Sequence, residues 1–197
     1  MSYRKEKKFR LSQFDFDSLK SKLLYYGMQP LYPKRVINSL YYDTRLYTMY
    51  HDSEEGVLPR RKVRFRWYND VRKAKKELKI SSIEGRFKTS TYVPIVSENT
   101  LPLTLHDQYY GVLYPSLKVT YIREYYLFKS MRITFDSQIK YVDYRRSSKI
   151  SYKDIECVME IKVSHEVSDD YIESKLPFPT SRFSKYSRGL LASNGEL

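Results

Sequence analysis

The strongest constraint on the fold is a repeated pattern of charge. Six stretches place charged residues at alternate positions, mostly with apolar residues between them: 4–8, 62–67, 77–80, 121–123, 131–136 and 159–163. In a β-strand, neighbouring side chains point to opposite faces, so each stretch would separate its charges from its apolar groups. Six such strands spread over the chain predict a sheet whose charged faces converge. Because many of the charges are basic, such a face would attract a polyanion.

Composition supports a folded domain with an anionic partner. The 197 residues are 41% hydrophobic, which is enough for a real core, and we predict a single domain over residues 1–197. The 36 basic and 23 acidic residues leave a net charge of +13, which suits nucleic acid, an acidic membrane surface or a phosphate-rich small molecule. The single cysteine, Cys157, excludes an intramolecular disulfide. With no signal peptide and no apolar run of the ~18–20 residues that span a bilayer, we predict a cytoplasmic protein.

In addition to these strands, helices are predicted at 14–26, 169–176 and 184–193, and residues 98–107 could form another helix. The first two could cover the apolar side chains of Val63, Phe65 and Trp67. About eight strands suffice to close a barrel. The charged face would then line a tunnel, while an open basic saddle is the alternative geometry.

Cations that share one face need anions near them. Two unit charges ~5 Å apart repel by roughly 3 kcal/mol at an effective dielectric of ~20. The interleaved carboxylates Glu6, Glu77, Asp136 and Glu160 would neutralise part of this charge and offer the oxygen ligands that Mg²⁺ and Mn²⁺ prefer. Arginine, common at these positions, pairs bidentately with phosphate. The pattern therefore predicts metal-assisted binding of a phosphate chain.

These motifs resemble those of the triphosphate tunnel metalloenzyme superfamily. Glu6-Lys7-Lys8 resembles its ExK motif, and Arg182–Tyr186 resembles the SKY motif of a narrower branch, the VTC domain of polyphosphate polymerases. Further stretches similar to that branch lie at 39–44, 62–68, 77–79, 121–123, 132–136 and 160–162. The matches run in order from residue 4 to residue 186, so the resemblance covers nearly the whole chain.

The resemblance implies a single VTC-like domain with an α+β fold: a closed antiparallel eight-stranded β-barrel with helices packed outside. It implies a metal-dependent phosphotransferase that moves the γ-phosphoryl group of a nucleoside triphosphate onto a phosphate or polyphosphate acceptor. The implied metal is Mn²⁺ or Mg²⁺, bound by Glu160 with Glu6 as a nearby partner. The implied phosphate ligands are Lys8, Arg64, Arg66, Lys79, Lys88, Arg123, Arg132, Lys162, Ser184 and Lys185. The implied catalytic residues are Arg64, Arg66, Lys79, Arg123 and Glu160.

Three classes of function stay open. Water in place of the acceptor would make the enzyme a triphosphatase or polyphosphatase, and without catalysis the chain would be a polyphosphate- or nucleotide-binding module. Nucleic-acid binding is disfavoured, because the charges alternate with apolar residues instead of clustering in a loop or one helix. The expected partners are therefore a nucleoside triphosphate, polyphosphate or inorganic phosphate, and a membrane-protein partner chain is left unidentified. We interpret Tyr41, Tyr42 and Asp43 as structural, with Asp43 starting the following helix.

Overall fold

The structure, a computed structural model, describes residues 4–146, 150–176 and 178–197. Most of this chain is β-strand. The strands are β1 (Arg4–Leu11), β2 (Gln29–Asp43), β3 (Arg60–Tyr68), β4 (Asp70–Ser82), β5 (Gly85–Tyr92), β6 (Leu105–Asp107), β7 (Gly111–Phe128), β8 (Met131–Asp143), β9 (Ser151–Lys153) and β10 (Cys157–Ser164). The helices are α1 (Gln13–Tyr25), α2 (Thr48–Glu55), α3 (Asp169–Lys175) and α4 (Lys185–Asn194). In this described part, no helix is long and apolar enough to cross a membrane.

The sheet confirms an antiparallel, strand-rich fold with few helices, but the predicted closed barrel is wrong. Hydrogen-bonded strands follow the order β1-β10-β8-β7-β2-β3-β4-β5, with β6 beside β7 and β9 beside β8. Among the described residues this path is open, ending at β1 and at β5. Strand β5 suits an edge, since every residue after Gly85 is exposed and most are polar or charged. Charged and polar residues on an edge strand disfavour further pairing.

The chain divides into two compact units. Unit 1 comprises residues up to 35, 121–139 and 153–184, and unit 2 comprises 36–120, 140–152 and 185–197. Strands β2, β7, β8 and β9 contribute residues to both units. That residues 1–197 form a single domain stays a prediction.

In unit 1, helix α1 covers the apolar face of the sheet. The helix begins after Ser12, whose hydroxyl oxygen accepts the N–H of Asp15 and so caps the first turn. Its buried side chains join those of β1, β8, β10 and α3 in one core, which includes Phe9, Phe16, Leu19, Leu23, Phe135, Met159, Ile161 and Ile172. The strand residues in this core alternate with charged ones, as the sequence predicts.

In unit 2, strand β3 confirms the predicted separation of faces. Val63, Phe65 and Trp67 are buried in a core cluster with Leu40 and Met49. The alternate residues of β3 are only partly buried. Burial of the apolar face thus fixes which way the basic side chains of β3 point.

The region that follows β5 departs from the sequence prediction. The helix considered for 98–107 is wrong: a single 3₁₀ turn covers Glu98–Thr100, and β6 occupies Leu105–Asp107. Pro102, which lacks a backbone N–H, interrupts any helix across this stretch. The carbonyl of Pro102 accepts a 2.7 Å hydrogen bond from the Tyr42 hydroxyl, which fastens the segment to β2.

Asp43 has the structural role that the sequence predicts. Its carboxylate accepts the N–H groups of Thr44, Met49 and Tyr50, so it holds the first turn of α2. It also accepts a 2.7 Å hydrogen bond from the hydroxyl of Tyr186 in α4. Asp43 of the motif at 39–44 and Tyr186 of the motif at 182–186 therefore meet in the interior of unit 2.

Candidate functional site

Each unit carries a charged sheet face opposite its apolar core. The strand register shows which residues share each face, because cross-strand partners lie side by side on the same face. The unit 1 face comprises Glu6, Lys8, Arg123, Arg132, Thr134, Asp136, Glu160 and Lys162. The unit 2 face comprises Ser39, Tyr41, Lys62, Arg64, Arg66, Lys75, Glu77, Lys79 and Lys88.

Glu77 organises the unit 2 face. This carboxylate is only 4% exposed. Its Oε2 lies 2.8 Å from Nε and 2.6 Å from Nη2 of Arg64, and its Oε1 lies 2.5 Å from Nζ of Lys88. Burial alone would raise the pKa of Glu77, but the charges of Arg64 and Arg66 and the bonds from Lys88 and Arg64 bring it down to about 2. Glu77 is therefore a firmly ionised anchor for these cations.

Tyr41 holds the other side of Arg64. Nη1 of Arg64 donates to the Tyr41 hydroxyl oxygen at 2.7 Å. The Tyr41 ring stacks on Tyr186, with ring centroids 4.8 Å apart. Burial raises the pKa of Tyr41, but the charges of Arg64, Arg66 and Lys62 outweigh it and lower the pKa to about 8. Arg64 is thus fixed between a carboxylate and a phenol before any ligand binds.

Three lysines form a row across the unit 2 face. Lys62 on β3 lies opposite Lys79 on β4, and Lys79 lies opposite Lys88 on β5. Like charges directly opposite each other destabilise a sheet. A bound polyanion would relieve this repulsion, so the row favours an anionic ligand over bare solvent.

On the unit 1 face, Glu160 resembles Glu77 of the unit 2 face, because it is a buried carboxylate that lies among cations. It is 7% exposed, its Oε1 lies 2.9 Å from Nζ of Lys162, and its Oε2 lies 3.8 Å from Nη2 of Arg123. Burial raises the pKa of Glu160, but the cations Arg123, Lys162 and Lys8 lower it below its ordinary value. Arg123 is itself held by a bidentate pair, with 2.6 and 2.7 Å bonds to Asp136.

Glu6 and Lys8 extend this cluster along β1. Nζ of Lys8 lies 3.6 Å from Oε1 of Glu6 and donates to the carbonyl oxygen of Phe183 at 3.0 Å. Nζ of Lys162 lies 3.4 Å from Oε2 of Glu6. Lys162 therefore bridges the carboxylates of Glu6 and Glu160. Arg132 lies directly opposite Lys162 and has no ion-pair partner among the described residues.

The carboxylates of the unit 1 face offer two protein ligands to a divalent metal. In the described ranges, no group of three or more His, Cys, Asp or Glu side chains is placed to hold a metal ion. Glu6 and Glu160, joined through Lys162, offer a pair of carboxylates. Mg²⁺ is commonly held by one or two carboxylates, with waters and substrate phosphates completing its shell. The pair fits a metal that is shared with a phosphate ligand.

The structure brings most of the predicted site residues together within their units. Lys8, Arg123, Arg132 and Lys162 share the unit 1 face with Glu6 and Glu160; Arg64, Arg66, Lys79 and Lys88 share the unit 2 face. Ser184 and Lys185 are not strand residues of either charged face. Both are half-buried and lie at the start of α4. Ser184 directly follows Phe183, whose carbonyl binds Lys8.

Sequence reasoning placed Glu77 and Asp136 among the charges of the face but did not pair them with particular arginines, and it interpreted Tyr41 as structural. Glu77 and Asp136 anchor Arg64 and Arg123, and Tyr41 contacts Arg64. The alternation of the two carboxylates with basic residues was a signal for their face. The pairing register, which decides the contacts, was not readable from one sequence.

The chain is similar to known proteins over nearly its whole length. The family model described as the VTC domain matches residues 3–101 and 103–194. A search of curated proteins found no match. Among solved structures, the PH1012 protein from Pyrococcus horikoshii is 12% identical, with a TM-score of 0.59, covering 93% of this chain and 98% of that one. A conserved hypothetical protein from Pyrococcus furiosus is 10% identical, with a TM-score of 0.57, covering 93% and 99%.

A third structure is a putative adenylyl cyclase from Hippeastrum, described as having a dominant triphosphatase activity. It is 15% identical, with a TM-score of 0.52, covering 98% of this chain and 96% of that one. At these identities the likeness shows a shared fold. The family match extends over nearly the whole chain and includes every residue of both charged faces.

Proposed function

Because the chain belongs to the VTC domain family, within the triphosphate tunnel superfamily, we propose that it is a metal-dependent phosphotransferase. It would move the γ-phosphoryl group of a nucleoside triphosphate onto a phosphate or polyphosphate acceptor. The observation that carries this proposal is the unit 2 face, where six basic side chains surround the single carboxylate of Glu77. Such an excess of positive charge on one sheet face needs a multiply charged anion.

Arginine and lysine would divide the work of binding on the unit 2 face. Arg64 and Arg66 present planar guanidinium groups, which pair with two phosphate oxygens at once. Lys79 and Lys88 would act as point charges along the phosphate chain. Since Glu77 and Tyr41 already fix Arg64, little side-chain freedom is lost when a phosphate binds. Glu77 and Tyr41 are positioning residues.

The unit 1 face would bind phosphate through Lys8, Arg123, Arg132 and Lys162. We propose that Glu160 and Glu6 hold Mn²⁺ or Mg²⁺. When bound, the metal would neutralise phosphate charge and orient phosphate oxygens. Ser184 and Lys185 are proposed as further phosphate ligands, because they lie at the N-terminal end of α4 and the N-terminus of a helix attracts anions.

Phosphoryl transfer asks little covalent chemistry of the protein. An acceptor phosphate oxygen forms a bond to the γ-phosphorus while the bond to the β–γ bridging oxygen breaks, and a nucleoside diphosphate leaves. On the unit 2 face, Arg64, Arg66 and Lys79 would stabilise the negative charge that shifts to the bridging oxygen. Arg123 is proposed as the catalytic arginine of the unit 1 face. A histidine or a nucleophilic side chain is not required for this step.

A triphosphatase is the second candidate, with water as the acceptor. The described activity of the Hippeastrum protein, which shares the fold, supports it. The two candidates differ in product. The experiment is to incubate the purified protein with ATP and Mn²⁺ and to separate polyphosphate from inorganic phosphate. Polyphosphate supports the transferase, phosphate alone supports the triphosphatase, and neither product would overturn an enzymatic function.

A Glu160→Gln variant separates catalysis from binding alone. It keeps the shape of a side chain that is 7% exposed but removes its charge. We expect tripolyphosphate binding to persist while turnover falls about 100-fold or more. Arg72→Ala is the matched control, because this exposed arginine pairs only with Asp70 among the described residues. Unchanged turnover in Glu160→Gln would contradict the metal role.

Thermal unfolding with tripolyphosphate tests the phosphate site without catalysis. A ligand at 100 times its Kd adds about 2.7 kcal/mol to the free energy of unfolding. An Arg64→Ala variant should lose most of this gain. Competition with duplex DNA is a second measurement. Tripolyphosphate should displace bound DNA if both ligands need the same basic face. No thermal shift at millimolar tripolyphosphate would contradict the proposed ligand.

A further inference from the structure

Unit 2 also holds a cavity of about 730 Å³ that the proposed reaction does not use. Leu40 contributes to its lining. The residues on either side of Leu40 in the chain face the other way: Ser39 contacts Arg66, and Tyr41 contacts Arg64, on the unit 2 face. Because successive residues of a strand point to opposite faces, the cavity lies on the other side of β2 from the phosphate ligands.

Much of the cavity wall is apolar or aromatic. The segment Leu101–Leu103, Tyr114 and Pro115 of β7, and Tyr144 contribute this part of the lining. The Tyr42 hydroxyl fastens this segment by its 2.7 Å bond to the Pro102 carbonyl. The volume falls within the roughly 300–1,000 Å³ of small-molecule sites, which combine apolar walls with a few polar groups.

One cation in the lining is left for a ligand. The guanidinium of Arg45 lies over the ring of Tyr114, 4.8 Å from its centroid, and pairs with no carboxylate in the described part of the chain. The other charged groups are engaged. Glu98 binds Nζ of Lys118, and Arg145 donates to the backbone carbonyls of residues 43, 44 and 45. Arg45 therefore offers its donors to an anion beside an aromatic ring.

We propose that this cavity binds a purine nucleoside monophosphate. The flat base would pack on the apolar wall that Leu101, Pro102 and Leu103 contribute, and the phosphate would pair with Arg45 beside the Tyr114 ring. Asn99, also in the lining, carries the adjacent donor and acceptor that match the edge of a purine. The inference goes beyond the proposed function and is independent of it, because none of these residues belongs to the two charged faces.

Titration calorimetry with adenosine 5′-monophosphate tests this site. Wild-type protein should bind the probe, and Arg45→Ala should weaken binding about tenfold or more, the usual loss for a charged hydrogen bond. Leu103→Trp should block the cavity with a larger side chain. Leu46→Trp is its matched control, because Leu46 and Leu103 are 80% and 81% exposed but Leu46 lies outside the lining. Both exposed positions should tolerate tryptophan without unfolding.

The result expected is weak binding in Arg45→Ala and Leu103→Trp with wild-type binding in Leu46→Trp. Absence of binding to wild-type protein at millimolar probe would overturn the inference. So would an affinity that neither Arg45→Ala nor Leu103→Trp changes, since the probe would then occupy a basic face. A protein that fails to bind tripolyphosphate but binds the monophosphate would contradict the proposed function and leave this inference standing.

Discussion

Replacing Glu77 by glutamine should remove a large, pH-dependent part of the stability of unit 2. The glutamine keeps the size of the side chain but leaves Arg64 and Lys88 without the carboxylate that now lies 2.5–2.8 Å from their nitrogens. Removing one partner of a buried ion pair is strongly destabilising, because the remaining charges stay buried without compensation.

The magnitude follows from the pKa of Glu77, which falls from an ordinary 4.5 to about 2 in the folded protein. A shift of about 2.5 units corresponds to about 3 kcal/mol of folding free energy. Because the folded pKa is depressed, this stabilisation is complete above pH 4.5 and is lost as the pH falls towards 2. At pH 3 about 2 kcal/mol of it should already be gone.

Urea unfolding between pH 3 and pH 7 measures this effect. Trp67, the single tryptophan, is 2% exposed in the core of unit 2 and reports unfolding by fluorescence. Wild-type protein and Glu77→Gln should differ by about 3 kcal/mol at pH 7 and by much less at pH 3. Glu84→Gln, an exposed carboxylate in the adjoining turn, should match the wild type throughout. A difference that stays constant over this range would refute the electrostatic argument.

Two further changes probe neighbouring parts of unit 2. Tyr41 should titrate at about pH 8 by its tyrosinate absorbance, a step absent in Tyr41→Phe, and tripolyphosphate should raise this pKa because its negative charge offsets that of Arg64 and Arg66. If the low step persists in Tyr41→Phe, another group is responsible. Gly189→Ala would place a Cβ 2.4 Å from Leu117 Cδ2 and 2.6 Å from Tyr141 Cδ1, so urea unfolding should show a loss of about 1–3 kcal/mol from overpacking. An unchanged midpoint would mean that α4 can shift freely.

Much of the fold could be predicted from local patterns. The alternation in β3 gave both the strand and its faces, since Val63, Phe65 and Trp67 can be buried together only in an extended backbone. The same reasoning gave β1, β8 and β10. The structural role of Asp43 could also be predicted, because this residue precedes a helix whose first N–H groups need an acceptor.

Other features were hidden because they depend on distant segments. Pro102 disfavours a helix over 98–107, but the place where this segment docks depends on Tyr42, which lies about sixty positions earlier. The order of the strands likewise depends on pairings between remote residues, so an open path from β1 to β5 could not be distinguished from a closed barrel.

By itself, the sequence determined the periodicity of charge, and with it the faces on which the basic residues and the carboxylates lie. A period of two is a local property of each strand, so it can be read without knowing any partner. Only the tertiary structure decided which carboxylate meets which cation. The pairing register sets Glu77 beside Arg64 and Lys162 between Glu6 and Glu160. Buried contacts of a few ångströms control pKa values and ligand binding, and that distance is fixed by pairing between strands, not by any one strand.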